Sequence, residues 1–199
     1  MQMYVSISNL SASYKKNVIL KSISLTIEEG QSICILGENA AGKSTFLRCI
    51  CKLKKCGGEI KYKENLKIFY LPQDNILLDE LSVKDNLRLF IDKYDEKVDN
   101  NMRDEFSISD ILNVKVKNCS GGTKRKISLF IALVQRCDLL VLDEPFVGLD
   151  VDNRGVFLKK LSEMVDNGAS IIYTTHLSDA ADMAKKKFNL KNGILEELS

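Results

Sequence analysis

The chain has 199 residues, of which 45% are hydrophobic and 28% are charged, and its formal net charge at pH 7 is +2. This length predicts one large domain, or a domain with a subdomain, that can bury a hydrophobic core. The balanced charge argues against a nucleic-acid-binding surface, and no apolar run approaches the roughly 20 residues of a membrane-spanning helix. Because the N-terminus also lacks the basic and then apolar pattern of a signal peptide, we expect a cytoplasmic protein.

Six cysteines are present, and in a cytoplasmic protein we expect them to be reduced thiols. Cys49, Cys51 and Cys56 lie close together and raise the alternative of a metal site. Their spacing differs from the C-x-x-C pairs of zinc sites and no histidine lies near them in the sequence, so we interpret them as ordinary thiols.

The N-terminal part of the chain predicts an antiparallel sheet that leads into a buried strand and then a helix. Alternation of polar and apolar residues and an abundance of β-branched residues indicate the strands, and apolar residues at helical spacing indicate the helix. The predicted elements are strands over 3–8 and 18–27 with a polar turn over 11–16 between them, a buried strand over 31–36, and a helix marked by Phe46, Leu47, Ile50 and Leu53.

Between the buried strand and the helix lies Gly37-Glu38-Asn39-Ala40-Ala41-Gly42-Lys43-Ser44-Thr45. This stretch matches G-x-x-x-x-G-K-[ST], the phosphate-binding P-loop, in the strand, loop and helix context that the motif requires. Backbone N–H groups of the loop and of the helix N-terminus are expected to bind the phosphates. Lys43 is expected to reach the β- and γ-phosphates, and the Ser44 hydroxyl to ligate Mg²⁺. The motif alone indicates nucleoside-triphosphate binding and does not choose among kinases, GTPases and transport ATPases.

The remainder predicts a small helical insertion within an α/β domain. Ser82 resembles a capping-box residue with Asp85 in place of the usual Glu, and Ser120-Gly121-Gly122 opens a long buried helix as an N-cap, an anion site or both. The predicted elements are strands over 59–62 and 67–71; an insertion over 74–118 with a helix marked by Leu87, Phe90, Ile91 and Tyr94, a loop over 95–104 and a weaker helix over 106–116; a helix over 120–136; strands over 139–142 and 170–174; helices over 152–165 and 179–186; and a hairpin of 187–190 with 194–197.

Two acidic residues and a histidine directly follow buried strands, at the edge where open α/β sheets bind ligands. Asp143 is placed to hold Mg²⁺, directly or through water, and Glu144 to polarise an attacking water as a general base. His176, the only histidine of the chain, is placed to contact a γ-phosphate, whereas a lone histidine is more often structural.

Further motifs lie in order along the chain, and together with the P-loop they make it resemble the nucleotide-binding subunit of ATP-binding cassette (ABC) transporters. One such motif is weak support, but seven in the same order are strong. They are Tyr14 at the adenine-stacking position, the P-loop, Gln73 at the Q-loop, Cys119-Ser120-Gly121-Gly122-Thr123 at the signature motif, Leu139-Leu140-Val141-Leu142-Asp143-Glu144-Pro145 at Walker B, Gly148-Leu149-Asp150 at the D-loop and His176 at the switch histidine.

The resemblance implies an α/β fold with a P-loop NTPase (RecA-like) core, an N-terminal antiparallel β-subdomain and a small α-helical subdomain. It implies a single ABC ATPase domain over 1–199, in which 1–73 and 138–199 form the core with the antiparallel sheet. Residues 74–137 are then the helical subdomain that carries the signature motif.

The resemblance also implies ATP and Mg²⁺ as ligands, with three sets of residues. The catalytic set is Glu144, His176 and Gln73; the nucleotide-binding set is Tyr14, Gly37, Asn39, Ala40, Ala41, Gly42, Lys43, Ser44, Thr45, Ser120, Gly121 and Gly122; and the metal-binding set is Ser44, Gln73 and Asp143.

By the same resemblance, ATP hydrolysis drives transport through a separate integral membrane subunit, which holds this chain at the inner face of the cell membrane. Two ATPase subunits pair around two nucleotides, as a homodimer or with a different ATPase subunit, and no nucleic acid is involved. The membrane subunit sets the substrate and the direction of transport. The alternatives are a soluble ABC ATPase that moves no solute and a non-hydrolysing regulatory binder, against which Glu144 and His176 argue.

Three positions depart from the family pattern. Ala40 stands where Gly is usual, and if that position has a positive φ, Ala costs on the order of 1 kcal/mol. Cys119 and Thr123 replace the usual Leu and Gln of the signature motif. The helical insertion is also short for the family, and the run Lys124-Arg125-Lys126 that follows the signature motif is interpreted as a solvated helix face.

Overall fold

A computed structural model describes residues 2–92, 94 and 100–198, which form two β-sheets and the helices that pack on them. The strands are β1 (Met3–Tyr14), β2 (Asn17–Glu28), β3 (Ser32–Leu36), β4 (Gly57–Tyr62), β5 (Ile68–Leu71), β6 (Leu139–Leu142), β7 (Ser170–Thr174), β8 (Lys186–Lys191) and β9 (Ile194–Leu198). The helices are α1 (Lys43–Ile50), α2 (Val83–Phe90), α3 (Asn100–Glu105), α4 (Gly121–Val134), α5 (Val151–Asp166) and α6 (Ser178–Ala181).

The larger sheet has the strand order β5-β6-β7-β3-β8-β9. Strands β5, β6, β7, β3 and β8 are parallel, and β9 returns antiparallel to β8 as the predicted hairpin. The smaller sheet is antiparallel, in the order β2-β1-β4. Because parallel strands end at one edge, the P-loop after β3, Asp143 after β6 and His176 near the end of β7 all lie at that edge.

Strands β3, β6 and β7 of the larger sheet are buried on both faces, which explains why they are mostly apolar rather than alternating. Successive residues of a strand pack into opposite hydrophobic clusters, as Ile33 and Ile35 do on one side and Cys34 on the other. One cluster joins the sheet to α2, α4 and α5, and the other joins it to α1 and the antiparallel sheet. In the described part of the chain, no helix has the length and apolar character needed to cross a bilayer.

Two predicted boundaries in the N-terminal part are wrong. Most of the stretch 11–16, which we predicted to be a turn, belongs to strand β1. The strand continues to Tyr14, which pairs with Asn17. The polar residues at the end of β1 are held in the strand by hydrogen bonds between backbones. A pattern of apolar side chains carries no information about such bonds. Helix α1 ends at Ile50, since Lys52 has a φ of 60°, and Leu53 is therefore 63% exposed.

Three further predictions in the C-terminal two thirds are wrong in part. Residues 106–116 form no α-helix; instead, short 3₁₀ turns at Ser109–Ile111 and Val116–Asn118 separate individual buried anchors such as Phe106 and Ile108. The predicted loop over 95–104 contains the start of α3, and its residues 95–99 lie outside the described residues. Helix α6 ends at Ala181, because Lys186 is already paired with Ile33 in the sheet.

Candidate functional site

A cleft of about 520 Å³ lies over the P-loop at the carboxyl edge of the large sheet. This volume falls within the roughly 300–1,000 Å³ of typical ligand pockets. A neighbouring cavity of about 830 Å³ shares part of the loop and also contains Gly37. The cleft is lined by Tyr14, Ile19, Glu38, Asn39, Ala40, Ala41, Gly42, Lys43, Ser44, Thr45, Gln73, Glu144, Val147 and His176. The fold therefore brings the predicted adenine, phosphate, Q-loop, glutamate and histidine positions together.

At two positions the P-loop has no room even for a Cβ atom, so each position requires glycine. Gly42 has a φ of 106°, and a Cβ there would lie 2.8 Å from Ile19 Cγ2; a Cβ on Gly37 would lie 2.5 Å from the Leu190 carbonyl oxygen. Ala40 has a φ of 64°, so this position does adopt the left-handed region that the missing glycine would favour. As the N-cap of α1, Gly42 provides no side-chain cap for the helix, which leaves the first turn free to receive an anion.

Lys43 is buried and held at the centre of the cleft. Its Nζ donates to the carbonyl oxygens of Gly37 at 2.7 Å and Glu38 at 3.2 Å, and it pairs with Glu144 Oε1 at 3.2 Å. The ammonium group therefore lies between the loop and the Glu144 carboxylate. A phosphate entering the loop would compete with Glu144 for this cation.

The Glu144 carboxylate contacts a second functional side chain through its other oxygen. Oε2 lies 3.1 Å from Nδ1 of His176, which donates to it when the ring carries its proton on that nitrogen. Glu144 is buried, whereas the His176 side chain is 55% exposed. His176 thus forms the outer wall of the cleft and Glu144 the inner wall.

Asp143 is fully buried behind the cleft, and two hydroxyl groups fix its carboxylate. Tyr70 donates to Oδ2 at 3.2 Å and Thr174 donates to Oδ1 at 2.9 Å. Burial, together with the Asp143 charge, raises the pKa of Tyr70 to about 12, so its hydroxyl stays protonated and keeps donating at neutral pH. The two hydroxyl groups therefore hold the Asp143 carboxylate in one orientation.

Tyr14 lies at the mouth of the cleft and is 48% exposed. The Nζ of Lys54 lies 3.5 Å from the centroid of its ring and donates to the Ser13 carbonyl oxygen at 3.2 Å. One face of the ring is therefore covered by a cation, and an adenine would stack on the other face.

The signature motif does not line the cleft. Ser120 is the N-cap of α4, and its Oγ accepts from the Thr123 N–H at 3.2 Å and lies 2.9 Å from Thr123 Oγ1. The N-cap interpretation is confirmed, and Thr123, one of the departures, supports that cap. A Cβ added to Gly122 would lie 3.1 Å from the Gly148 carbonyl oxygen, so the signature and D-loop backbones are in close contact.

The interpretation of Lys124-Arg125-Lys126 as a solvated face is wrong for Arg125, which is only 8% exposed. Its guanidinium donates to the backbone carbonyl oxygens that follow β5 and β6. Arg125 turns inward because these carbonyls, at the ends of two strands, have no strand partners, and a fork of N–H donors satisfies them. Sequence patterning missed this residue, and it also missed Tyr70 and Thr174, because none of the three belongs to a motif.

The residues present fit ATP with Mg²⁺. An uncapped helix N-terminus and the Lys43 ammonium suit phosphate groups. The Ser44 hydroxyl, the Gln73 amide and the Asp143 carboxylate supply the oxygen ligands that Mg²⁺ prefers.

Comparison with known proteins agrees with this geometry. The family model described as ABC transporter matches residues 20–147. The chain is 30% identical over 191 residues to the linearmycin resistance ATP-binding protein LnrL of Bacillus subtilis, covering 87% of this chain and 61% of that protein. It is 32% identical over 181 residues to the zinc import ATP-binding protein ZnuC of Buchnera aphidicola, covering 88% of this chain and 75% of that protein.

The fold is also that of a solved ABC structure. The dimeric, post-hydrolysis structure of the ATP-binding cassette MJ0796 bound to ADP and Pi matches with a TM-score of 0.82 at 24% identity, covering 98% of this chain and 99% of that chain. Together, the family match, the relatives and the assembled cleft lead to one conclusion: the chain belongs to the ABC transporter family and carries the ATP-binding ATPase domain of that family.

Proposed function

We propose that this chain binds MgATP in the P-loop cleft and hydrolyses it to power transport through a separate membrane subunit. The observation that carries the proposal is the chain of contacts from Lys43 through Glu144 to His176, all of which line one cleft. Such a line joins a phosphate-binding cation, a carboxylate base and a second phosphate-contacting group.

The proposed mechanism begins with the loss of the contact between Lys43 and Glu144. When the γ-phosphate enters the loop, the Lys43 ammonium group binds the phosphate oxygens instead of Glu144. The Glu144 carboxylate is then free to accept a hydrogen bond from a water molecule. Glu144 then accepts a proton from that water as the water attacks the γ-phosphorus, and the bond from this phosphorus to the bridging oxygen breaks, so that ADP and phosphate are formed. His176, oriented through Nδ1 by Glu144, presents its other ring nitrogen to the phosphate.

We assign the metal-binding role to Ser44, Asp143 and Gln73. When bound there, Mg²⁺ supplies positive charge that offsets the charge developing on the phosphate oxygens. Tyr70 and Thr174 keep the Asp143 carboxylate in one orientation for that role.

Assembly is the second part of the proposal. Because Ser120, Gly121 and Gly122 lie outside the cleft of their own chain, we assign them to the γ-phosphate of a nucleotide bound by a second ATPase subunit. A dimer of this kind, docked on a polytopic membrane protein at the cytoplasmic face, accounts for all of the predicted binding residues. The membrane protein should copurify with the tagged chain after detergent extraction and change its rate of ATP turnover.

Glu144→Gln tests the catalytic assignment, because the amide keeps the shape of the side chain but cannot accept the proton. We expect phosphate release from MgATP to fall by about 100-fold or more, with ATP still bound. Glu197→Gln makes the same chemical change on the exposed strand β9 and serves as the matched control. Turnover that persists in Glu144→Gln would assign the base to another residue.

A further inference from the structure

The backbone of Glu144 adopts an unusual conformation that other elements hold in place. Its φ is 46°, in the left-handed region that non-glycine residues rarely occupy. Such strain costs on the order of 1–3 kcal/mol and persists only where the surroundings enforce it. The groups that enforce it here come from β7 and α4.

On the β7 side, Thr174 contacts both acidic residues with one hydroxyl group. Its Oγ1 accepts from the Glu144 N–H at 2.8 Å and donates to Asp143 Oδ1 at 2.9 Å. Thr174 is fully buried. The hydroxyl therefore fixes the Glu144 amide and the Asp143 carboxylate relative to each other, in a place from which water is excluded.

On the α4 side, Arg125 holds the other end of the same residue. Its Nη2 donates to the Glu144 carbonyl oxygen at 2.8 Å, so both backbone polar groups of Glu144 are bonded to side chains of other elements. A guanidinium has five N–H donors, and in Arg125 each has a backbone acceptor. The acceptors are the carbonyl oxygens of Pro145 from Nε, Pro72 and Gln73 from Nη1, and Asp143 and Glu144 from Nη2.

Neutral carbonyl oxygens satisfy this buried cation. Desolvation lowers the pKa of Arg125 from its ordinary value, while the charges of Asp143 and Glu144 oppose that shift. A buried arginine bonded to five carbonyls is costly to keep for stability alone, since apolar residues of similar volume often replace buried ionic groups without loss. The Arg125 guanidinium bonds both to the Q-loop and to the segment after β6, so it can hold these two segments in fixed relative positions.

We propose that Arg125 and Thr174 are positioning residues for hydrolysis, which together hold the Glu144 backbone so that its carboxylate points into the cleft. This inference rests on the proposed role of Glu144 as the base. Neither residue lines the nucleotide cleft, so each acts through the residues that it holds, and Glu144 is the one that both of them contact. Because Arg125 lies in the second turn of α4, behind the Ser120 N-cap, it also ties the position of the signature helix to that of the base.

Thr174→Val provides the main test, since valine has nearly the same shape but cannot bond to Glu144 or Asp143. We expect kcat for ATP to fall by roughly 10–100-fold, because the hydroxyl positions the base, while KM changes by less than about threefold, because Tyr70 still holds the Asp143 carboxylate. Thr174→Ser keeps the hydroxyl and should retain most of the wild-type kcat. Ser170→Ala is the matched control, because it removes a buried hydroxyl bond to the Glu28 carbonyl at the opposite end of β7.

A second variant tests the α4 side of the clamp. Arg125→Lys keeps the positive charge but lacks the planar fork that reaches five carbonyls. It should also lower kcat more than it changes KM, in full-length protein whose thermal unfolding shows that it is folded. If Arg125→Lys does not fold, Thr174→Val still decides the proposal through the kinetic constants and through single-turnover hydrolysis.

The outcomes separate this inference from the assignment of the base. If Thr174→Val behaves like Ser170→Ala in kcat while Glu144→Gln is inactive, the clamp is structural and this inference is overturned. If Glu144→Gln itself turns over normally, the assignment of the base fails first. A fall in kcat in Thr174→Val, rescued in Thr174→Ser, supports positioning and is not expected from a loss of stability alone.

Discussion

At the scale of single residues, two of the non-glycine residues with a positive φ lie in the cleft. Ala40 in the P-loop and Glu144 after β6 both have positive φ angles, and both line the cleft. The two cases differ in their support: Glu144 is held by side-chain bonds to both backbone groups, whereas Ala40 occupies a position that the family usually fills with glycine. Backbone strain at a site is common where geometry matters more than stability.

Ala40→Gly should stabilise the fold without changing affinity. Because the positive φ is already present without a nucleotide, its strain of about 1 kcal/mol is paid in the free and the bound protein alike. We expect Tm to rise by roughly 2–4 °C, and the Kd for ATP measured by calorimetry to stay within about twofold. An increase in affinity without a change in Tm would mean that the loop changes conformation on binding.

At the scale of elements, α2 and the segment before it depend on one buried amide. Asn86 is fully buried, and its Oδ1 accepts from the Leu78 N–H at 2.7 Å. Its Nδ2 donates to the carbonyl oxygens of Leu78 at 3.1 Å and Ser82 at 2.9 Å. The side chain thus bonds to backbone groups of the irregular segment before α2, and it fixes that segment to the N-terminus of the helix.

Asn86→Ala should be strongly destabilising, because it removes three hydrogen bonds made by a fully buried side chain, including the one that the Leu78 N–H donates. We expect the free energy of unfolding to fall by about 3 kcal/mol, measured as a lower urea midpoint. Asn113→Ala, at an exposed position of the same insertion, should change it by less than about 0.5 kcal/mol. Equal midpoints for the two variants would contradict a structural role for this amide.

At the scale of the whole molecule, the two sets of proposed nucleotide-binding residues lie in different places. Lys43, Glu144 and His176 lie in the cleft, whereas Ser120 lies outside it at the start of α4. The contact between the signature and D-loop backbones, at Gly122 and Gly148, links the second set to the segment after Walker B. In the dimer that we propose, this contact would couple closure around the nucleotide to the position of the Glu144 base.

Glu144→Gln should accumulate an ATP-held homodimer, because ATP is bound but not consumed. We expect light scattering after size exclusion with MgATP to show a dimer at tens of micromolar protein, roughly the concentration that micromolar-range association needs. Adding Ser120→Arg should abolish the dimer, because the arginine side chain places bulk at the interface. Circular dichroism checks that the double variant is folded, since loss of the N-cap costs about 1 kcal/mol. A monomeric Glu144→Gln would indicate pairing with a different ATPase subunit.

Alkaline pH should destabilise the whole molecule through the thiols of the buried Cys34 and the half-buried Cys51. Burial raises the pKa of Cys34 and of Cys51 from the ordinary 9.0 to about 12. Since the unfolded chain ionises these groups at lower pH than the folded chain, their contribution to stability is complete below pH 9 and is lost as the pH rises toward 12. Each thiol should contribute a loss of roughly 1 kcal/mol at pH 10, seen as a falling Tm, and Cys51→Ala should make that fall shallower.

The sequence by itself determined the chemistry of the cleft. The P-loop, the Asp143-Glu144 pair and His176 are short contiguous signals placed after apolar strands, and parallel strands bring such signals to one edge whatever the loops between them do. Buried strands and caps were also readable, since strand apolarity and the Ser82 and Ser120 caps depend on neighbouring residues.

The tertiary structure alone decided which further side chains hold that chemistry in place. Arg125, Thr174 and Tyr70 act through contacts with residues far away in the chain, and no local pattern records such a contact. Arg125 stands between two lysines and looks like part of a solvated face, yet it is buried because backbone carbonyls at two strand ends accept its N–H groups. The same limit explains the polar end of β1 and the absence of a helix over 106–116, where strand pairing and single buried anchors override the local pattern.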